Sequence, residues 1–284
     1  MVELKNDILN VKIKERGAEL SSVMRGGREY IWQGLEAFWK KQCPIMFPVC
    51  GRLNDKKYVY DGKTYFMENH GFAQTKEFSA EKISDTEAVF TLKEDEETLA
   101  QYPFHFVFRV RFSLEADTLT IRNEVFNPAK TPMYFNFGSH EAYSVDGKFT
   151  DWSVVFEKKE DLFLKEQPIL GYLGKGSVPF RKDVMELALS HSLFEKDALL
   201  FDKISSRSVT LCKKGDPVVQ VSFPGFENLL LWTKVGAPYL CIEPWNGLPD
   251  YVDASGNLEE KRGIIKLDGG ENFAMTHSVK FFEL

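Results

Sequence analysis

Three short stretches of this 284-residue chain set an imidazole or a carboxylate among small and aromatic neighbours. They are Asn69-His70-Gly71-Phe72-Ala73, Gly138-Ser139-His140 and Cys241-Ile242-Glu243-Pro244-Trp245. Two histidines and a carboxylate can supply a general acid, a general base and a polar clamp. Such a set moves protons on a sugar without a metal or a nucleotide, provided that a fold brings the three stretches together.

Glu243 closes an alternating segment in which Tyr239, Cys241 and Glu243 share one face and Leu240 and Ile242 the other. Pro244 has no ladder donor and is expected to end regular pairing. Trp245 beside it offers an indole suited to the apolar face of a sugar. A sheet-edge glutamate bonded to a lysine is the competing reading. Gly71 after His70 permits a tight turn and close ligand approach, and His140 follows Gly138-Ser139 in a similar setting. Isolated histidines are more often structural, and residue chemistry alone leaves that alternative open. His105 shares an outward strand face with Arg109 and Arg111 and reads as solvated, while His191 and His277 have no supporting neighbours. The planar fork of Arg52 suits paired hydroxyls, a carboxylate or an ion pair. Asp197 suits a sugar hydroxyl or a turn cap. Cys241 reads as a small buried filler.

The elements that must position these groups are strands. Leu9, Val11 and Ile13 alternate with polar residues, as do Phe104 to Phe112 and Leu119 to Val125. Further strands are expected at 87–92, 131–137, 152–156, 207–212, 218–223, 228–233, 238–243 and 275–283. Turn signals such as Gly26-Gly27, Asp61-Gly62 and Gly215-Asp216 separate them. Helix is scarce: Glu94–Ala100 suits a short one, and 183–195 is a second candidate. Many short strands with hairpin signals predict an all-β fold, a single large antiparallel β-sandwich spanning residues 1–284 as one domain.

Composition narrows the function. A net charge of −6 with scattered lysines and arginines gives no basic patch for nucleic acid. The first residues lack a signal-peptide core, and no apolar run reaches the roughly 20 residues of a membrane span. Four cysteines without a paired motif predict reduced thiols in a cytoplasmic protein. Phosphate-binding glycine loops, Gly-x-Ser-x-Gly elbows and His-Glu-x-x-His helices are absent from the sequence. An open sheet edge leaves a homodimer as an option.

Taken in order, several segments resemble the aldose 1-epimerase (galactose mutarotase-like) family, in its LacX-like branch. They are Gly17-Ala18-Glu19-Leu20, Glu29-Tyr30-Ile31-Trp32, Phe38-Trp39, Phe47-Pro48-Val49-Cys50-Gly51-Arg52, His70-Gly71-Phe72-Ala73 and Ile242-Glu243-Pro244-Trp245. The resemblance runs over nearly the whole chain and implies a β-supersandwich with an open sugar cleft. It also implies interconversion of the α and β anomers of an aldose, with no cofactor and no metal. By resemblance Glu243 is the base at the anomeric hydroxyl, His140 the acid at the ring oxygen and His70 a second histidine that positions the sugar. Arg52 and Asp197 match substrate-binding positions, with Trp245 and Phe72 as walls. The acid and base are expected on opposite sides of the sugar, about one ring apart. Glu141 stands where the branch more often has proline, and a carboxylate there is expected to raise the His140 pKa. A hexose-phosphate mutarotase and a non-catalytic sugar-binding protein are the competing functions; a glycoside hydrolase would need a second carboxylate across the bond.

Overall fold

The structure, a computed structural model, describes residues 1–283. Its strands follow the alternation of the sequence. In Val107–Glu115, Phe108, Val110, Phe112 and Leu114 are buried while Arg109 and Glu115 face water. The Ala116-Asp117 turn returns the chain into Thr118–Phe126, with Leu114 opposite Leu119 and Arg109 opposite Glu124. This hairpin belongs to a 15-stranded sheet in which the paired strands run antiparallel. A 4-stranded sheet from Val2–Lys5 to Arg28–Glu29 lies apart from it in pairing.

The chain beyond one end strand of the large sheet packs on strands near its other end. Phe47, just after the end strand Ile45–Met46, stacks on Phe108 near the other end at 4.6 Å. Phe72, Tyr102, Phe106 and Phe135 crowd around Phe47. Burying such rings stabilises this packing by about 1.5–3 kcal/mol per side chain before chain entropy is counted. The all-β sandwich expected from the periodicity is the fold observed.

Helix is as sparse as the sequence implies. Glu96–Gln101 forms where the acidic stretch suggested it, capped reciprocally by Asp95 and Thr98. The second candidate is not a helix. Residues there belong to the strand Ser177–Ala188 and then to the 3-10 turn His191–Phe194. The partner strand Trp152–Lys165 supplies a ladder that a local helix preference does not match. Ser177–Ala188 pairs with that strand alone and leaves Val178 and Met185 exposed.

One strand matters most to the chemistry. Tyr239–Asn246 is buried along almost its whole length, between Asn228–Trp232 on one side and Phe137–Ser139 with Glu141–Ser144 on the other. Pro244 does not end it. Pairing toward Asn228–Trp232 continues through Leu229 opposite Pro244. On the other side the ladder lapses between the pairs Gly138–Trp245 and Glu141–Ile242, where proline has no N–H to give. His140 stands in that gap, opposite Glu243.

Candidate active site

Glu243 and His140 open onto a cavity of about 270 Å³ whose wall also includes Trp39, Lys41, Arg52, His70, Asp197, Trp232 and Trp245. Both reacting candidates are buried. His140 Nδ1 lies 3.4 Å from Glu243 Oε1, and Trp245 Nε1 donates to Glu243 Oε2 at 3.1 Å. The two side chains expected to be acid and base are therefore neighbours, not partners across a sugar ring. The reason is topological: they face each other from adjacent strands of one sheet.

Their protonation is set by burial. Removal from water pushes the Glu243 carboxyl well above its ordinary range, and the Glu141 charge adds to this, while the Trp245 N–H opposes it. Burial likewise pushes the His140 imidazole well below its ordinary value, helped by nearby His70. Trp39 stacks on the His140 ring at 4.8 Å and Trp232 meets it edge-on at 5.6 Å. A face-on indole favours the imidazolium form.

His70 is fixed by its backbone. It takes a left-handed φ of 67°, followed by Gly71 at 72°. Phe72 and Ala73 N–H groups both donate to the Phe47 carbonyl, and His70 N–H donates to Gly51 O. A side chain on Gly71 would place Cβ 2.3 Å from Phe47 O, so the turn requires glycine. Gly51 N–H donates to His70 Nδ1 at 3.2 Å, which leaves the proton of the neutral ring on Nε2. Burial, with Lys41 and Arg52 nearby, pushes the His70 pKa down to about 3. His70 is thus a neutral hydrogen-bond donor at physiological pH.

The structure brings Glu243, His140, His70, Arg52, Asp197 and Trp245 to one cavity. It does not bring Phe72, which is buried against Phe47, Tyr102 and Phe106 because the turn at Gly71 sends it into the core. Glu141 also departs from expectation. Its side chain is buried with His277, whose Nε2 donates to Oε1 at 3.0 Å, and its charge bears on Glu243 instead of His140. His277, without supporting neighbours in the sequence, is thus paired and fully buried.

Sequence reasoning missed Lys41, Gln167 and Trp232 as wall residues, and quoted Trp39 only as part of a motif. An aromatic pair at 38–39 followed by lysine was the one available signal. Arg52 makes no ion pair among the described residues, and its side chain packs so closely on Gly171 that a Cβ there would lie 2.9 Å from Cδ. One donor set could hold a metal: ligand atoms of His140, Cys241 and Glu243 all lie within 4.8 Å of one another.

Comparison with known proteins bears on the family and the fold. The family pattern described as aldose 1-epimerase matches residues 1–266. Plasmid-encoded protein LacX of Lactococcus lactis subsp. lactis is 34% identical, with 94% of each chain covered. A galactose mutarotase related enzyme from Lactobacillus acidophilus superposes with a TM-score of 0.94 at 29% identity, over 99% of this chain and 97% of that one. A galactose mutarotase-like protein from Lactobacillus casei ATCC 334 gives a TM-score of 0.94 at 27% identity, over 99% and 100% of the two chains. The chain belongs to the aldose 1-epimerase family.

Proposed function

We propose that the protein is a mutarotase, interconverting the α and β anomers of an aldose by opening and reclosing its ring. The observation that carries this reading is the 3.4 Å approach of His140 Nδ1 to Glu243 Oε1 at the wall of a sugar-sized cavity. O1 and O5 of a pyranose are bonded to the same carbon, so the base and acid must act on neighbouring oxygens. Adjacent side chains suit this better than opposed ones.

Burial favours the pair's single proton on Glu243, and the reactive tautomer has it moved to His140. Glu243, then a carboxylate, takes the proton of the anomeric hydroxyl. His140, as imidazolium, gives a proton to O5 while the C1–O5 bond breaks. The product is the open-chain aldehyde with O5 as a hydroxyl. Rotation about C1–C2 turns the other carbonyl face toward O5, and the two transfers then run in reverse. Each cycle returns both protons to their starting groups. The pair thus works with one proton between its two members, and that proton is a property of the pair. Trp245 supports the ionised carboxylate and Trp39 the imidazolium. His70 Nε2–H, Arg52 and Asp197 hold the hydroxyls. General acid and base groups of this kind are each typically worth about 10²–10⁴-fold.

The test is anomer exchange by NMR or polarimetry on freshly dissolved α-D-glucose and α-D-galactose. Equilibration faster than buffer, lost in Glu243→Gln and in His140→Asn, is the expected result. Buffer-like rates across a panel of aldoses and their phosphates would sink the enzyme reading in favour of a binding protein.

A second reading rests on Lys41 and Arg52, two cations on the wall of the same cavity. They favour an aldose that carries an anionic group such as a phosphate. Comparing an aldose with its 6-phosphate in wild type and Lys41→Ala separates the two: a preference for the phosphate, lost in the variant, selects this reading. All four cysteines are free and buried, which fits a reducing, cytoplasmic setting. Among the described residues no helix is long and apolar enough to cross a membrane.

A further inference from the structure

We propose that His140, Cys241 and Glu243 form a buried inhibitory site for a thiophilic divalent ion of the zinc type. Cys241 precedes Glu243 by two residues on the same strand face, so its thiol lies beside the carboxylate. Cys241 is packed with Trp32, Ala142, Ala237 and Tyr239, under the Trp39 and Trp232 rings that line the cavity. All three side chains are buried, and the ligand atoms lie within 4.8 Å of one another. His140 Nδ1 is moreover buried and makes no hydrogen bond, with Glu243 Oε1 its neighbour at 3.4 Å.

The donor chemistry selects the ion. Imidazole nitrogen, thiolate sulfur and carboxylate oxygen are the accepted zinc ligands, at about 2.0–2.3 Å. Tetrahedral binding at those lengths brings ligand atoms to about 3–4 Å apart, so the widest spacing here must close by about 1 Å. Small side-chain rotations supply that. Magnesium and calcium prefer oxygen donors and are disfavoured. One thiolate and one carboxylate balance the two positive charges, so the occupied site leaves no net charge in the interior. The thiol proton and the proton shared by Glu243 and His140 leave to solvent. Three protein ligands leave a fourth position, open to the cavity.

Occupancy takes the lone pairs that the catalytic pair uses for proton transfer, so a bound ion arrests the reaction. The binding claim stands apart from the mutarotase reading, whereas the arrest rests on it. Other ionisable groups around the site are Glu141 behind the sheet and His70, Asp197 and Lys41 about the cavity.

The experiment is a titration of the full chain with Co²⁺, read by the thiolate-to-cobalt absorption band, followed by displacement with Zn²⁺. The expected result is one thiolate-ligated ion in wild type and no band in Cys241→Ser or Cys241→Ala. Zn²⁺ affinity should weaken by at least about 10–100-fold in both variants, the scale on which even outer-shell partners act. Cys43, Cys50 and Cys212 remain in the variants and serve as the control for other thiols. A band that persists in a folded variant, or unchanged Zn²⁺ affinity, overturns the site. For the arrest, the ratio of rates with and without Zn²⁺ is compared between wild type and variants. Full activity at saturating Zn²⁺ overturns the arrest and leaves the binding result intact. Should no aldose be turned over, the mutarotase reading fails while the cobalt band still decides the site.

Discussion

The indole of Trp245 gives the Glu243 carboxylate its only hydrogen bond among the described residues, and it favours the ionised form that the proposed base needs. Trp245→Phe removes that donor and lets the carboxyl pKa climb further. Anomer exchange at neutral pH should fall by about tenfold, matching the roughly 1.5 kcal/mol of a hydrogen bond to a charged group, and alkaline pH should not restore it, because raising the pH removes the single proton that the pair shares. A pH–rate profile checks it; recovery of the wild-type rate at alkaline pH counts against it. His70 and His140 carry the opposite linkage. Both imidazoles have pKa values lowered by burial, His70 from 6.5 to about 3, so the unfolded chain binds more protons than the native one in that window. Stability held above pH 6.5 should therefore be lost progressively as pH falls toward 3. Urea unfolding from pH 7 to pH 4 should show that decline, made shallower in His70→Asn. That Glu243, His140 and His70 share one cavity was legible only through the order of the motifs along the chain, since each residue alone reads as structural. Lys41, Gln167 and Trp232 were not legible, because nothing local to a single lysine, glutamine or tryptophan says which cavity it will face. Phe72 was misread for the converse reason: a neighbour in sequence lies on the far side of a tight turn.

Two glycines at the site make different demands on their elements. Gly71 has a left-handed backbone and a carbonyl 2.3 Å from where its Cβ would stand. Gly71→Ala should cost at least about 2 kcal/mol, since strain and a backbone clash add. Gly138 would instead press on the Met46 methyl at 2.8 Å and the Trp245 ring at 3.0 Å. Met46 is flexible and can yield, so Gly138→Ala should cost little stability but displace the indole that holds Glu243. Thermal melts beside exchange rates distinguish them: the first variant loses Tm, the second activity. Strands were readable here wherever one face is wet, as in Val107–Glu115. Ser177–Ala188 was harder, because it is exposed on both faces and its alternation says little. The lapse beside Pro244 was half readable. The missing donor was plain, but which neighbour would be left unpaired depends on the sheet order.

At the scale of the molecule, the stack of Phe47 on Phe108 ties distant parts of the sheet order into one continuous core. We expect residues 1–284 to unfold as one cooperative unit. Near- and far-ultraviolet circular dichroism should give coincident thermal transitions, and two separated transitions would argue for two domains. Class and sandwich architecture were legible from periodicity, and the family from motif order. The packing of Phe47 on Phe108 was not, because contacts between residues far apart in sequence leave no local trace. A homodimer, if one forms, has the free edge Ser177–Ala188 to use, where Arg181 and Glu186 would pair across a two-fold axis. Sedimentation of wild type and Arg181→Glu tests that. Of the five tryptophans in the chain, Trp39, Trp232 and Trp245 border the cavity. The site is therefore its own fluorophore. Emission should report sugar occupancy in Glu243→Gln, so affinity can be ranked across candidate sugars in a protein that turns none of them over.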